Sequence, residues 1–239
     1  MRVLFLTACI NPKGMSFTKI VDVQYRRQQY LYAIHWYLKN TNFKILVVEN
    51  TNEDMSSDFE KEIEAGRLEL LSFDGNSYNI NRGKGYGEAL ILEYGLNNSC
   101  LLRQADSFVK ITGRLICKNI NSLLNYCRDE NTFYAYLRKG PRSDLFCDSR
   151  VFIAPINILN LFLSRKENLN DNNYYYFEHL LFDTRQLWIG KGYKYIEPWI
   201  PADIIGQSGS SGVFYPELSI KSRLKFYCKR FLHSLNYYC

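Results

Sequence analysis

The sequence predicts an α/β fold with a mostly parallel central sheet. Three observations carry this reading. Short apolar, β-branched runs recur through the chain, helical patterns alternate with them, and the runs are apolar at consecutive positions. Strands covered by helices on both faces show that continuous pattern, whereas a sheet wet on one face alternates apolar with polar residues.

VLFLTA is the first strand, followed by a loop and a long helix over roughly Val23 to Asn40, in which Tyr30, Ile34 and Tyr37 recur at helical spacing. FKILVVEN is the second strand, DMSSDFEKEIEAG an acidic helix closed by Gly66, and RLELLSFD the third strand. NRGKGYG then predicts a flexible basic loop, with EALILEYGL as the helix after it. ADSFVKI is the fourth strand and carries TGR at its carboxyl end. KNINSLLNYC predicts a helix, TFYAYLR and DSRVFIAP predict strands, and INILNLFLSRK another helix. Beyond Asp171 the pattern changes: the tyrosine run leads into a helix ending near FDTRQLW, while GYKYIEPWIPADIIGQSGSSG is punctuated by proline and glycine and reads as loop.

A chain of 239 residues, 46% hydrophobic and 15% aromatic, is folded rather than disordered and long enough for one large domain. No apolar run approaches a membrane span, and MRVLFLTACINPKG lacks the apolar region of a signal peptide. Seven cysteines without a CxxC pair indicate neither a zinc site nor a disulfide framework, which fits a reducing cytoplasm. The net charge of +6 favours anionic partners such as nucleotides, phosphates or acidic lipid, although ordinary soluble proteins reach the same value. Five basic residues sit among aromatic ones at near-helical spacing in the tail KSRLKFYCKRFLHSLNYYC. Such a helix either rests on an anionic membrane face or packs on its own domain.

Ligands of open α/β sheets bind at the carboxyl ends of the strands, which singles out Lys110, Thr112 and Arg114. Taken together, TACINP, the YRRQQY helix, ILVVEN, the NRGKGYGE loop and VKITGRL resemble small bacterial glycosyltransferases of the GT-A fold that build surface polysaccharides such as O-antigen, capsule or lipopolysaccharide. The resemblance covers residues 1–205. It implies a nucleotide-binding part over 1–115, an acceptor-side part over 116–205, and a loop with a basic aromatic helix over 206–239.

By position, the resemblance gives base and ribose to Thr7, Ala8, Glu49 and Asn50, and brings Asn81, Arg82, Gly83 and Lys84 close to the nucleotide. Many relatives hold manganese or magnesium on an Asp-x-Asp motif at the next strand's end. Lys-Ile-Thr-Gly-Arg stands there instead. Fixed cations can neutralise a departing phosphate directly, so Arg114 and Lys110 are expected on the donor phosphate, assisted by the Thr112 hydroxyl and the Gly113 amide, with no metal and no other cofactor. The other reading of this stretch is a solvated sheet edge and a turn. Arg27, at the start of the long helix beside Arg26, is a further anion ligand or a partner of the acidic helix. RGKGYG has neither P-loop nor dinucleotide-fingerprint spacing and is a phosphate loop or simply a surface loop.

For proton abstraction in an inverting transfer the leading candidate is Glu178 in YYYFEHLLFD, whose resemblance is to the acceptor-side acidic segment of the fold. His179 is second, although adjacent helical positions diverge. Asp148 is a backup that could orient the acceptor. Tyr176 would stack on a sugar, and Asp183 and Asp203 would contact the acceptor. The activity implied is transfer from a nucleotide-sugar donor to a glycan or lipid-linked oligosaccharide, on a protein that is cytoplasmic or peripheral on the inner face of the bacterial plasma membrane. Two alternatives stay open: a nucleotidyltransferase, which would need a divalent metal, and a nucleic-acid-binding module, against which the chain shows no single-strand-binding motif. Donor nucleotide, sugar and stereochemistry are open.

Overall fold

The computed structural model describes residues 1–15, 18–140 and 144–235. In chain order the main elements are β1 (Arg2–Ala8), α1 (Val23–Asn40), β2 (Lys44–Glu49), α2 (Glu60–Glu64), β3 (Leu68–Ser72), α3 (Lys84–Asn98) and α4 (Cys100–Arg103). Next come β4 (Ser107–Thr112), β5 (Ile116–Cys117), α5 (Ile120–Tyr126), β6 (Phe133–Tyr134), β7 (Leu137–Lys139), β8 (Leu145–Cys147) and β9 (Val151–Pro155). The chain continues through α6 (Ile158–Leu163), α7 (Phe177–Gly190), β10 (Tyr195–Ile196), β11 (Ile204–Gln207), β12 (Phe214–Tyr215) and α8 (Ile220–Leu235).

Seven strands form the main sheet in the order β10-β6-β9-β4-β1-β2-β3. β1 lies between β2 and β4, parallel to both, and β3 continues the parallel set. Only β9 runs the other way, antiparallel to β4 and β6, so the sheet is largely parallel as the sequence predicts.

Side-chain alternation splits the strands between two cores. Leu4, Leu6, Ile45, Val47, Val109 and Ile111 face one layer, where Tyr30, Ile34 and Tyr37 of α1 cover them. Val3, Phe5, Leu46, Val48 and Phe108 face the other, under Ala89 and Leu92 of α3. Because both faces are buried, every residue of β1 is buried, and the run VLFLTA has no polar interruption before Thr7. α1 has the bounds expected from its periodicity, with Asp22 accepting from the Tyr25 amide at 2.7 Å as its N-cap.

Three expectations change. NRGKGYG is not a loop up to Glu88, since α3 begins at Lys84. Gly83 turns the chain with φ +82, and a Cβ there would lie 2.3 Å from Asp171; Gly85 lies inside the helix because Asp171 and the Phe177 backbone approach it closely. Here glycine marks tight packing rather than flexibility. The run TFYAYLR divides into β6, which joins the main sheet, and β7, which leaves it to pair with β8. Finally, the stretch from Gly192 contains β10, parallel to β6, and β11, antiparallel to β5 and β12.

α8 returns to the body through Arg223, paired with Asp203 at 2.8 Å, and Arg230, paired with Glu197. Between them Phe226 packs on Tyr136 at 6.2 Å between ring centroids. Among the described residues no helix is long and apolar enough to cross a membrane.

Candidate functional site: a cationic cleft at the strand ends

The carboxyl ends of β1, β2 and β4 open into two adjoining cavities. The first, of about 110 Å³, is walled by Ala8, Cys9, Tyr30, Asn50, Asn76 and Tyr78 among others. The second, of about 380 Å³, is walled by Arg138, Asp148, Ser149, Arg150, Glu178 and Tyr215. Lys84, Glu88, Thr112, Arg114, Gly209 and Ser210 line both and form the passage between them.

Arg114 dominates that passage. Its Nε and Nη1 are buried and have no hydrogen-bond partner, and burial lowers the pKa of its guanidinium below the ordinary arginine value. A cation withdrawn from water with donors unused is costly, and an anion entering the cleft would satisfy it. The turn between β11 and β12 closes over it: a Cβ on Gly209 would meet Nη2, and the Ser210 hydroxyl accepts from Lys84 Nζ. The Lys19 amide donates to the Gly209 carbonyl at 2.9 Å and holds that turn in place.

Lys110 is placed differently from its expected role. It lies on the α3 side of β4, fully buried, ion-paired with Glu88, and donates to the Ser149 carbonyl at 2.6 Å and Thr112 Oγ1 at 3.3 Å. With three protein partners its ammonium has no hydrogen left for a phosphate. The Gly113 amide is also used, donating to the Thr7 carbonyl at 2.9 Å. Thr7 donates from its hydroxyl to Glu88 at 3.1 Å, and Ala8 accepts from the Asn50 amide at 3.2 Å.

At the tip of β2 the two predicted residues separate. Asn50 faces the first cavity, donating to Asn76 at 3.1 Å while its buried Oδ1 has no partner. Glu49 lines neither cavity; its carboxylate accepts the amides of Ile10, Thr51 and Glu53 at 2.9, 2.7 and 3.0 Å and fixes the loops around the first cavity. Arg27 is turned away and paired with Asp58 at 2.5 Å. Its neighbour Arg26 reaches the cavity wall instead, with Nε bonded to the Cys9 and Ile10 carbonyls, each at 3.0 Å. Arg82 binds Glu167 at 2.6 Å and covers the Tyr86 ring, and the Asn81 carbonyl accepts from Asn172 at 2.7 Å, so of Asn81, Arg82, Gly83 and Lys84 it is Lys84 that lines the cleft.

On the far wall Glu178 lines the second cavity and accepts from the Ser149 hydroxyl at 2.6 Å. His179 points elsewhere: Nδ1 accepts the Tyr176 amide at 3.2 Å and Nε2 meets Asp144 at 2.7 Å. Tyr176 borders a neighbouring cavity with Lys84, Asp171 and Glu178. Asp183 accepts from the Tyr175 hydroxyl, and Asp203 holds Arg223 and the Leu218 amide, so neither lines the cleft.

Asp148 lines the second cavity but is unsuited to accept a proton. It receives Nε and Nη2 of both Arg138 and Arg150. Burial alone would raise its pKa; the Arg150 hydrogen bonds and the charges of Arg150 and Arg138 outweigh burial and bring the carboxyl down to about 2. Among the described residues no group of three or more His, Cys, Asp or Glu is arranged to hold a metal ion.

Sequence reasoning passed over Glu88, Asn76, Ser149, Arg138, Arg150 and Asp171. Asp171 is buried at the start of α3 with Oδ1 unpartnered, and burial raises its pKa. Glu88 was within reach, since it closes the NRGKGYGE stretch. Arg138 lies on β7 and the others in connecting segments, brought together only by the fold.

The sequence matches no protein-family model, and no curated protein matches it. Solved structures are similar in shape. One is a glycosyltransferase involved in the glycosylation of the major capsid of PBCV-1, with TM-score 0.49 and 9% identity over 83% of this chain and 82% of that one. Another is a provisionally assigned nucleotide-diphospho-sugar transferase of Desulfovibrio desulfuricans G20, at 0.45 and 8% over 82% and 79%. A third is a cytidylyltransferase of Leptospira borgpetersenii serovar Hardjo-bovis (strain JB197), at 0.44 and 12% over 82% and 75%. With TM-scores below one half, none of them decides what this chain binds. The chain's own coordinates define an α/β protein with a cationic cleft at the ends of its parallel strands.

The Asp148 geometry fixes a pH dependence. A carboxyl held at about 2 against an ordinary 3.8 stabilises the fold above the unfolded value and loses that contribution as pH falls through 2. The difference corresponds to about 2 kcal/mol. Asp148→Asn should therefore lower stability at neutral pH and flatten the loss of stability between about pH 4 and 2. Urea unfolding across that range checks it, and an unchanged acid slope would contradict the assignment.

Proposed function

We propose that this chain is a glycosyltransferase moving a sugar from a nucleotide donor to a growing bacterial surface glycan. The observation that carries the reading is the Arg114 guanidinium, buried at the carboxyl end of β4 with two donors unpaired. On this reading the nucleotide enters the first cavity, where the unpartnered Asn50 Oδ1 offers an acceptor to a base or ribose. The donor phosphates lie in the passage, against Arg114 and Lys84. Residues 1–115 hold the donor and 116–205 form the acceptor side.

In an inverting transfer the acceptor hydroxyl oxygen attacks the anomeric carbon from the second cavity. The bond from that carbon to the phosphate oxygen breaks, its electron pair leaves on the phosphate, and the hydroxyl proton passes to Glu178. Ser149 orients the Glu178 carboxylate, and Arg114 and Lys84 offset the charge that grows on the leaving group. Two fixed cations in the passage support a metal-independent transfer.

Titration calorimetry with UDP, GDP, CMP and dTDP, in EDTA and then with manganese, tests the donor site. One nucleotide should bind in EDTA, with affinity reduced at least tenfold in Arg114→Ala. Binding that requires manganese would overturn the metal-independent reading, and release of pyrophosphate from a nucleoside triphosphate would mark a nucleotidyltransferase instead. Once a donor is identified, Glu178→Gln should lower kcat by about 10²–10⁴-fold with little change in donor KM. A kcat within a few-fold of wild type would remove Glu178 as the base.

A lipid-linked acceptor would place the protein at a membrane surface, and α8 supports that reading. Its docked face uses Arg223, Phe226 and Arg230, while Ile220, Leu224 and Tyr227 form an exposed stripe at helical spacing. Lys221 and Lys225 flank the stripe, and the helix contains no acidic residue. The full chain should sediment with vesicles containing phosphatidylglycerol, several-fold less with the Leu224→Glu/Tyr227→Ser variant and less again in high salt. Equal sedimentation of the two proteins would argue against this surface.

A further inference from the structure

The second cavity has a cationic wall that donor binding does not use. Arg138 on β7 and Arg150 before β9 line that cavity and not the first. Both are tied to one buried carboxylate, Asp148, at 2.9 and 2.6 Å for their Nη2 atoms. Asp148 takes the Nε and Nη2 edge of each guanidinium, which leaves the Nη1 edges outside its reach. The Tyr215 ring, 4.9 Å from the Arg150 guanidinium carbon, helps to fix its plane.

Two guanidiniums sharing one carboxylate keep one positive charge between them. A single arginine would suffice to neutralise Asp148, and a second one adds repulsion that an incoming anion would relieve. The other charges of the wall do not cancel this excess locally. Glu88 is paired from behind by buried Lys110, and Arg114 and Lys84 lie in the passage toward the first cavity. Glu178 adds a negative charge to the same cavity, hydrogen-bonded by Ser149 and ion-paired with neither arginine; with it counted, the cations Lys84, Arg114, Arg138 and Arg150 still outnumber the carboxylates Asp148, Glu178 and the already paired Glu88. Arginine presents planar, paired donors that match the oxygens of a carboxylate or phosphate.

We infer that Arg138 and Arg150, held by Asp148, form a second oxyanion site, which binds a carboxylate or phosphate group of the sugar-bearing substrate in the second cavity. Calling that group part of a substrate rests on the transferase reading; the anion site itself rests on the triad alone. A sugar carboxylate and a phosphate ester share this chemistry. Asp148 and the arginines act here as binding and positioning groups, and the acid–base step stays with Glu178.

The test is calorimetric titration of the full chain with glucuronate, glucose 1-phosphate and glucose, for wild type, Arg138→Ala and Arg114→Ala, each checked for a wild-type-like thermal transition. Arg138 is half exposed, so its truncation leaves the Asp148–Arg150 pair in place. At least one of the two anions should bind the wild type and lose tenfold or more in Arg138→Ala, a larger loss than in Arg114→Ala, with glucose failing to bind. Glucuronate alone would identify an acidic sugar and glucose 1-phosphate alone a phosphate ester. Anion binding that falls in Arg114→Ala but not in Arg138→Ala, or no anion binding to the wild type, would overturn the second site. Failure of the nucleotide titration with retained Arg138-dependent anion binding would instead discard the donor assignment and keep this one.

Discussion

The ion pair between Lys110 and Glu88 is the interaction on which the cleft depends. Lys110 is the one fully buried lysine among the described residues, in the middle of the central strand β4. Taking such a charge out of water costs several kcal/mol unless it is paired and its remaining hydrogens are bonded. Glu88 of α3, the Ser149 carbonyl and the Thr112 hydroxyl supply those partners, and Thr7 of β1 bonds the same glutamate. One neutralised pair thereby connects β1, β4, α3 and the segment leading into β9. It also determines what the cavities present to a ligand. Glu88 lines both, but its charge is already matched, so it does not set a bare carboxylate against an entering phosphate.

The excess of basic residues acquires meaning only when each cation is followed to its partner. Arg26 is spent on main-chain carbonyls, Arg27 on Asp58, Arg82 on Glu167, and Arg223 and Arg230 on the acidic groups that dock α8. These charges hold loops and a helix in place. Arg114 differs because its surroundings supply contact without acceptors, and the Arg138–Asp148–Arg150 group differs because it holds more positive than negative charge. Net charge cannot distinguish these cases. Geometry does, through the count of acceptors around each guanidinium.

That distinction also explains what was legible in the sequence. The strands β1 to β4 and the helix α1 follow from apolar runs and periodicity, most plainly for β1, β2 and β4, where burial on both faces leaves little choice of residue. Arg114 was singled out by the rule that ligands meet the strand ends and Asn50 by the resemblance, and both line the first cavity. Lys110 went astray for a reason of phase: position 110 shares a face with Phe108 beneath α3, so its ammonium meets Glu88 before it can reach the cleft. Gly83 and Gly85 read as flexibility and proved to be points of close approach by Asp171, which lies more than eighty residues away in the chain. Asp148 read as a backup that could orient the acceptor, and its tie to Arg138 stayed hidden because Arg138 comes from a hairpin whose departure from the main sheet no local pattern announces. Local pattern fixes which segments are buried; the pairing of charges across segments is a property of the assembled sheet.

The turn between β11 and β12 covers both cations of the passage. It was expected as loop, and its glycines and serines give it little side-chain bulk. Gly209 can lie against Arg114 only because it has no Cβ, and Ser210 meets Lys84 with a neutral hydroxyl. Both cations are therefore covered by uncharged groups that leave their charge unmatched, and an entering anion would add the Coulombic attraction that a hydroxyl or a glycine backbone cannot supply. A bulkier or acidic turn would fill the passage or neutralise it. On the donor reading, a small, uncharged turn keeps the cations ordered and partly dry while leaving their charge available, and this combination is what a preorganised phosphate site requires.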